Sequence, residues 1–241
     1  MQTTEAPGAA GTSEFGDVWV VIPVYNEGSV IAEVVEGLLP TFPNVVCVDD
    51  GSRDDSAERI FHTGAHLVSH PVNLGQGAAL QTGLDYALLR QEAQYFVTFD
   101  ADGQHRVEDA AELVRAVKDG GADVALGSRF LGEAEEVPWL KRALLKTVAV
   151  VSPAARRLRL TDAHNGLRVL NRAAASHLKI TMNGMAHASE IVGYLARSDL
   201  QVTEVPVTVL YTDYSKAKGQ SLINGVNILF DLSLRSRRRP L

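Results

Sequence analysis

Short apolar runs alternate with amphipathic segments along the first half of the chain. Val18 to Val24 is apolar at every position, and Gly28 to Leu39 follows it with apolar residues at helical spacing. Further apolar runs occupy 45–48, 67–68, 95–99 and 123–127, and further helical patterns occupy 54–61, 76–90 and 107–118. Continuous apolar strands separated by helices predict βαβ units. We therefore expect an α/β fold of the Rossmann-like type, with a mostly parallel central sheet flanked by helices.

The second half of the chain is less regular. Helical spacing extends over 137–159, with Pro138 at its start and Pro153 inside it. Residues 166–170 and 202–210 are predicted strands, and Pro206 places the second of them at a sheet edge because proline cannot donate a ladder hydrogen bond. The last predicted element is an amphipathic helix rich in Leu, Ile, Val and Phe, over residues 221–234.

The length and composition predict how the chain is divided into domains. The 241 residues are 46% hydrophobic, which suits one domain with a buried core. Residues 1–16 are small, polar and glycine-rich, with no basic segment followed by an apolar run, so they predict a disordered tail and not a signal peptide. We expect one domain over 17–220, followed by an amphipathic helix and a basic tail over 221–241.

The cysteine content, the hydropathy and the net charge restrict the cellular compartment and the partners expected for the protein. Cys47 lies in an apolar run and predicts a buried structural thiol in a reducing compartment. No stretch of about 18 apolar residues is present, so no spanning helix is predicted. The net charge of −6 argues against nucleic acid as the main partner.

Two acidic residues follow the fourth predicted strand. Ligands of parallel sheets bind beyond the carboxyl ends of the strands, so polar residues there rank first. Asp100 and Asp102, separated by Ala101, point roughly the same way in an extended chain, and their repulsion is costly without a cation. Hard divalent cations bind carboxylates together with substrate phosphates. The segment predicts a metal and diphosphate site that Gln104 and His105 extend; a solvated turn that caps the next helix is the alternative.

Other strand ends carry further polar groups. Asp49 and Asp50 end the second strand, where a carboxylate can accept hydrogen bonds from a base or a ribose; capping the helix near Asp54 is the alternative. Arg129 follows the fifth strand and can fork onto a phosphate or form a surface salt bridge. The turn after the first strand lacks the G-x-G-x-x-G and P-loop patterns, which argues against both kinds of nucleotide site.

Basic residues cluster in two places. Six lie within 141–160 without an acidic residue, and four arginines follow the last predicted helix. Beside apolar helices they favour peripheral binding to an anionic membrane surface. The alternative is that both helices pack on the core and the arginines form a solvated tail. On the first interpretation the protein is cytoplasmic and peripheral on the inner face of the cell membrane.

Five motifs occur in an order that resembles a known family. They are VIPVYNE, VDDGSRDDS, NLGQGAALQTG, DADGQH and GSRF. In this order they resemble the family 2 glycosyltransferases of the GT-A fold. The later segments DAHNGLR and YTDYSKAKGQS fit the dolichol- and polyprenyl-phosphate sugar synthases within that family. The resemblance covers residues 18–220.

The resemblance implies a role for individual motif residues. The nucleotide-sugar would contact Pro23, Tyr25, Glu27, Val48, Asp50, Asp100, Ala101, Asp102 and Gln104. Of these, Asp100, Asp102 and Gln104 would hold Mg²⁺ or Mn²⁺. Asp102 and Arg129 would be catalytic, and Arg129, Lys216 and Lys218 would bind the phosphate of the donor or acceptor. This loop departs from the family pattern, which often has an arginine before Gly-x-Ser-Lys, so its phosphate ligands stay open.

The implied activity is that of an inverting hexosyltransferase. A sugar would pass from a nucleotide-sugar to polyprenyl phosphate for cell-envelope glycan synthesis, with UDP favoured over GDP and UDP-N-acetylgalactosamine as the best-matching donor. A lipid phosphate is already an anion and needs no general base, and the sequence offers no convincing one. For a hydroxyl acceptor, Asp162 would be the first candidate base. Implied partners are the membrane surface and a small membrane protein.

Three other functions compete with this interpretation. A family 2 transferase can extend a glycan or polysaccharide by using a hydroxyl acceptor. A sugar nucleotidyltransferase is disfavoured because PVYNEGS is not a glycine-rich loop with an arginine. A non-catalytic nucleotide-sugar-binding module is disfavoured by the intact set of Asp100, Asp102 and Gln104.

Overall fold

The fold follows the alternation of strands and helices expected from the sequence. The computed structural model describes residues 14–131, 152–184 and 186–210. Its strands are β1 Val18–Val24, β2 Asn44–Asp49, β3 His66–Ser69, β4 Tyr95–Thr98, β5 Val124–Ser128, β6 Arg168–Asn171 and β7 Val202–Pro206. Its helices are α1 Ile31–Leu38, α2 Ser56–Phe61, α3 Gln76–Leu88, α4 Val107–Lys118, α5 Pro153–Leu158, α6 Arg172–His177 and α7 Ala186–Arg197.

These strands form one seven-stranded sheet in the order β3-β2-β1-β4-β6-β5-β7. Only β6 is antiparallel within it, to both β4 and β5. Because β6 separates them, β4 and β5 run in the same direction. The carboxyl ends of β1, β2, β4 and β5 therefore meet the first residue of β6 at one edge, called the carboxyl edge below. The predicted mostly parallel sheet is confirmed, and β7 with its Pro206 is an edge strand as expected.

Helices cover both faces of the sheet. On one face α1, α2 and α4 pack against alternate strand residues such as Val20 and Ile22. On the other face α3, α6 and α7 pack against the intervening residues, including Trp19 and Val21. Cys47 is fully buried, and burial raises the pKa of its thiol, so the expected structural thiol is confirmed. No helix in the described ranges is long and apolar enough to cross a membrane.

The helix predicted over 137–159 is not continuous. Ser152 has an extended backbone, with φ −71° and ψ 116°, and its side chain accepts a hydrogen bond from the backbone N–H of Ala155. With Pro153 in the first turn, these are the features of a helix start, and α5 begins here. The sequence pattern missed the cap because the apolar spacing continues through it. Residues 132–151 lie outside the described residues.

The expected amino-terminal boundary is also wrong by three residues. The predicted tail includes Phe15, but this side chain is 4% exposed and its ring centroid lies 5.0 Å from that of Phe42. The backbone N–H of Val18 donates to the Phe15 carbonyl at 3.1 Å. Residues 14–16 therefore belong to the folded domain, because their one large apolar side chain joins the core.

Candidate active site

Asp100 is the second residue beyond β4 and points to the face covered by α3. Gln76 Nε2, in the first turn of α3, donates to its Oδ1 at 3.2 Å. His105 Nε2 lies 3.0 Å from its Oδ2, so the imidazole donates there. Burial would raise the pKa of Asp100, but the hydrogen bond and charge of His105 and the charge of Arg168 outweigh it and hold the pKa below its usual value. The carboxylate is thus ionised, oriented from two sides, and still 32% exposed.

Asp102 lies beside Asp100, but fewer neighbouring groups stabilise its negative charge. Its Oδ1 accepts the backbone N–H of Gln104 at 3.0 Å. Burial and the charge of Asp100 raise the pKa of Asp102 to about 6, and Glu27 adds to the rise. The negative charge of Asp100 makes ionisation of Asp102 more costly, and a cation between the two carboxylates would offset that repulsion. The described residues contain no group of three His, Cys, Asp or Glu that could hold a metal ion, and the predicted role of Gln104 as a metal ligand stays a prediction.

Asp50 is almost fully engaged by protein donors. Its Oδ1 accepts from the backbone N–H of Leu74 at 2.9 Å and lies 2.8 Å from His70 Nδ1, and its Oδ2 accepts from Gly75 N–H at 2.7 Å. The other ring nitrogen of His70 lies 3.0 Å from Thr82 Oγ1. Asp50 therefore anchors the loop before α3. Whether it also meets a base or ribose stays a prediction, with few lone pairs left.

Neither Asp49 nor Asp50 caps α2. Asp49 accepts the N–H of Ser52, whereas the N–H of Ser56 at the start of α2 donates to Asp54. Asp54 also accepts the N–H of Gly28 at 3.0 Å, which ties the turn after β1 to α2. The capping alternative for the Asp49-Asp50 pair is thus excluded by the hydrogen bonds.

The Asn73-Leu-Gly-Gln-Gly77 segment links the two acidic sites. Its backbone holds Asp50, and its Gln76 side chain holds Asp100. Gly75 has φ +96°, and a Cβ on Gly77 would lie 2.0 Å from the carbonyl oxygen of Met182. Both glycines are needed because the loop before α7 crosses closely here. The sequence showed only a weak glycine-rich signal for this tight turn.

Arg129 and Asp162, predicted separately as phosphate ligand and base candidate, bind each other. Arg129 Nε lies 2.6 Å from Asp162 Oδ2 and Nη2 lies 2.8 Å from Oδ1. The Asp162 side chain is 2% exposed, so this is a buried bidentate pair and not the surface salt bridge named as the alternative. Burial alone would raise the pKa of Asp162, but Arg129 holds it below the usual range. Glu204 of β7 fixes the loop by accepting the N–H groups of Thr161 and Asp162.

The remaining predicted nucleotide contacts differ in accessibility. Tyr25 is 40% exposed beyond β1, where a planar ligand could reach its ring. Pro23 lies within β1 and is buried. Val48 and Ala101 are also buried, so they can offer a nucleotide only their main chains. Lys216 and Lys218, the predicted phosphate ligands, lie outside the described residues, as does the helix predicted at 221–234.

Two buried residues of this edge were not predicted. Arg168, the first residue of β6, is 3% exposed and lies close enough to Asp100 and Asp162 for both to influence its pKa. His187, in the first turn of α7, is also 3% exposed. Both point to the face of the sheet on which Asp100 lies. Arg168 ends the DAHNGLR segment that supports the resemblance, but neither residue was predicted to lie at the site, because their position depends on the insertion of β6 between β4 and β5.

A Rossmann-like sheet with two carboxylates and an amide beyond its central strand is the architecture of a GT-A type nucleotide-sugar enzyme. The chain belongs to the glycosyl transferase family 2, whose profile matches residues 19–178. The family resemblance seen in the five motifs is therefore confirmed.

Relatives and solved structures agree with this assignment. Polyprenol monophosphomannose synthase of Mycolicibacterium smegmatis is 30% identical over 222 residues, which cover 87% of this chain and 82% of that protein. UDP-N-acetylglucosamine--dolichyl-phosphate N-acetylglucosaminyltransferase of Methanococcus voltae is 27% identical over 89% of this chain and 94% of its own length. The crystal structure of glucosyl-3-phosphoglycerate synthase from Mycobacterium tuberculosis with phosphoglyceric acid has a TM-score of 0.71 at 19% identity, covering 97% of this chain and 86% of that one. That likeness shows a shared fold.

Proposed function

We propose that this protein transfers a hexose from a nucleoside diphosphate sugar to polyprenyl phosphate. The observation that carries the proposal is the pairing of Asp100 and Asp102 at the carboxyl edge of a family 2 chain. The names of the two relatives support the acceptor class, since each names a polyprenol or a dolichyl phosphate.

Asp100, Asp102 and Gln104 fit a divalent cation, Mg²⁺ or Mn²⁺. The fit rests on two carboxylates and an amide at one strand end, the oxygen donors that such cations prefer. Burial and then the charge of Asp100 raise the pKa of Asp102, and a bound cation would offset the second effect. A bound cation would neutralise the charge that develops on the departing nucleoside diphosphate. Mn²⁺ and UDP are named together in a complex of the Mycobacterium tuberculosis enzyme that shares the fold, which supports a metal-dependent, UDP-using transferase.

The protein's own residues orient this site. Gln76 and His105 each hold one of the two oxygens of Asp100. The main chain of Gly166 packs directly on the same carboxylate, since a Cβ there would lie 2.0 Å from Asp100 Oδ2. A carboxylate held on three sides keeps one position, and such preorganisation avoids reorganisation during the reaction.

The state of Asp162 favours a phosphate acceptor over a hydroxyl acceptor. A hydroxyl nucleophile needs a base, and Asp162 was the best candidate from the sequence. Both of its oxygens are bound by Arg129, and its pKa is lowered, so it is a poor proton acceptor. A lipid phosphate is already ionised and needs no base. Direct displacement by that phosphate would invert the anomeric carbon.

Finer features of the proposal concern the sugar and the membrane. We take UDP-N-acetylgalactosamine as the specific donor and peripheral attachment to the inner membrane face as the location. A small membrane protein partner would complete the attachment. The segments that favour the membrane location, 137–151 and 221–241, lie outside the described residues.

A lipid-extraction assay tests the proposal. Full-length protein is incubated with Mn²⁺, polyprenyl phosphate and radiolabelled UDP-N-acetylgalactosamine, UDP-N-acetylglucosamine, UDP-glucose or GDP-mannose in turn. We expect label in the organic phase with one donor, and none with Asp102→Ala. Asp85→Asn, on the exposed side of α3, is the matched control and should keep full transfer. Label that appears only on a soluble glycan would support the hydroxyl acceptor, and binding without any transfer would support a non-catalytic module.

A further inference from the structure

Arg168 is a largely buried cation that has no acceptor among the described residues. It is 3% exposed, yet its side chain makes neither a hydrogen bond nor an ion pair with any described residue. Its charge is felt by Asp100, Asp162, His164 and His187, so its guanidinium lies among them. The oxygens of Asp100 and Asp162 are instead used by other donors.

Two other arginines of this protein have largely buried guanidinium groups, and both donate hydrogen bonds to protein acceptors. Arg129 forks onto Asp162, and Arg172, at the opposite edge of the sheet, donates to the carbonyls of Leu88, Arg90 and Ala93. A buried donor left without an acceptor costs free energy comparable to a lost hydrogen bond, and more when it is charged. The donors of Arg168 therefore indicate a ligand with acceptor oxygens at this position.

His187 offers the complementary group. Its Nδ1 lies 2.9 Å from the carbonyl oxygen of Gly184, and because a carbonyl only accepts, Nδ1 must carry the proton. Burial, followed by the charge of Arg168, lowers the pKa of His187, so the ring is neutral near pH 7. Its Nε2 therefore presents a lone pair and has no partner among the described residues.

The loop before α7 places this imidazole beside the diphosphate site. The N–H of Gly77 donates to the Asn183 carbonyl at 2.9 Å, and a Cβ on Gly77 would lie 3.0 Å from His187 Cβ. Gln76, the residue before Gly77, binds Asp100. A sugar attached to a diphosphate at Asp100 and Asp102 would thus lie within reach of both Arg168 and His187.

A guanidinium donor and an imidazole acceptor near enough for the charge of Arg168 to lower the pKa of His187 match a hydroxyl group between them. A hydroxyl oxygen can accept from Arg168 while its proton is donated to Nε2 of His187. A phosphate, by contrast, is mostly deprotonated near neutral pH, since its second pKa is about 6, and so has little proton to donate to His187. We propose that Arg168 and His187 bind a hydroxyl group of the donor sugar and so help to select which hexose is transferred. This inference rests on the proposed function, since it assigns the sugar half of the same donor site.

Binding of UDP and of UDP-sugars tests this assignment directly. The full-length protein with Mn²⁺ is titrated by calorimetry with UDP, then with UDP-N-acetylgalactosamine, UDP-N-acetylglucosamine and UDP-glucose. We expect Arg168→Gln to weaken the best-bound UDP-sugar by about 10- to 100-fold, the range expected for a lost hydrogen bond to a charged group, and to leave UDP affinity almost unchanged. Equal loss for UDP and UDP-sugar would overturn the proposal, because Arg168 would then act through Asp100 and the metal.

Two substitutions of His187 distinguish the role of Nδ1 from that of Nε2. Asn can replace the Nδ1–H donor to Gly184 but places no acceptor at Nε2, whereas Gln reaches toward the Nε2 position. We expect His187→Asn to lose UDP-sugar affinity selectively and His187→Gln to recover part of it. Arg172→Gln is the matched control: it removes a covered guanidinium and should lower stability without changing the ratio of UDP-sugar to UDP affinity.

A measurement on the unsubstituted protein covers the case in which Arg168→Gln does not fold. UDP-sugars that lack one hydroxyl each are titrated in turn. One position should weaken binding by about 10-fold or more, since that hydroxyl leaves both Arg168 and His187 unpaired. If no single deoxygenation weakens binding, the proposal is wrong. If the protein binds neither UDP nor any nucleotide-sugar, it is the proposed function that fails.

Discussion

Arg129 and Asp162 form a buried, two-pronged ion pair, with Nε 2.6 Å from Oδ2 and Nη2 2.8 Å from Oδ1. The backbone N–H of Arg129 adds a third contact to the same carboxylate at 3.2 Å. This pair joins the end of β5 to the loop before β6. It thereby fixes the position of one side of the candidate site.

Breaking this pair should destabilise the fold more than removing it whole. Asp162→Asn leaves a guanidinium without its counter-charge, and we expect a loss of about 3–5 kcal/mol in the free energy of unfolding. The double substitution Arg129→Met with Asp162→Leu should lose less stability than Asp162→Asn does, and less than the sum of the losses of Arg129→Met and Asp162→Leu alone. Urea denaturation of the four proteins measures the coupling. The exposed pair Arg59–Asp55 is the control, with an expected coupling of about 0–1 kcal/mol; equal couplings at both pairs would contradict the prediction.

Divalent metal should stabilise the protein through Asp102. With UDP present, saturating Mn²⁺ should raise the melting temperature, since a ligand at about 100 times its Kd adds about 2.7 kcal/mol. A chelator should reverse the shift, and Asp102→Asn should abolish it. Asp85→Asn should respond as the unsubstituted protein does. An undiminished shift in Asp102→Asn would show that the metal binds elsewhere.

The first half of the fold was predictable because its elements have strong local patterns. The predicted bounds of β1 and α4 coincide with Val18–Val24 and Val107–Lys118. The candidate metal segment was predictable for a related reason, since a polar triplet after an apolar strand must lie at the carboxyl edge of a parallel sheet. At this segment the local sequence pattern and the topology of the sheet predict the same position.

The second half was less predictable because it depends on contacts distant in sequence. Thr98 Oγ1 donates to the Gly166 carbonyl at 2.7 Å across 68 residues, and this pairing brings β6 beside β4. Only then does Arg168 enter the site. The three predicted phosphate-binding cations have different outcomes. Arg129 is held by Asp162, which no spacing rule shows. Lys216 and Lys218 lie outside the described residues, so their role stays a prediction.

Adding one methyl group at Gly166 should impair the site without unfolding the protein. Its Cβ would lie 2.0 Å from Asp100 Oδ2, so the carboxylate must move away from His105 and Gln76. We expect Gly166→Ala to lower transfer on the order of 100-fold, because small misplacements of reacting groups have effects of that size. Gly37→Ala in α1 is the control, since a Cβ there meets nothing within 4 Å, and it should keep activity and gain up to about 1 kcal/mol of stability. Transfer assays measure the activity of both variants, and urea denaturation measures their stability. Wild-type activity in Gly166→Ala would show that the position of Asp100 does not depend on this glycine.

The pH dependence of stability should report the buried imidazole of His164. Burial, followed by the charge of Arg168, lowers its pKa from 6.5 to about 4 in the folded protein. The unfolded chain therefore binds the proton first as the pH falls, so stability is lost between about pH 6.5 and pH 4 and is fully present above that window. At pH 5 this amounts to roughly 1–2 kcal/mol.

A comparison of variants isolates this effect. Asp102, whose pKa is raised to about 6, changes stability in the opposite direction over the same range, so the absolute slope of the native protein is not diagnostic. We expect His164→Gln to lose less stability than the native protein between pH 7 and pH 5, by that same roughly 1–2 kcal/mol. The exposed His62 of the segment after α2 provides the control substitution, His62→Gln, which should leave the difference unchanged. Urea denaturation at the two pH values measures it, and parallel losses in His164→Gln and the native protein would show that this ring is not held neutral by the fold.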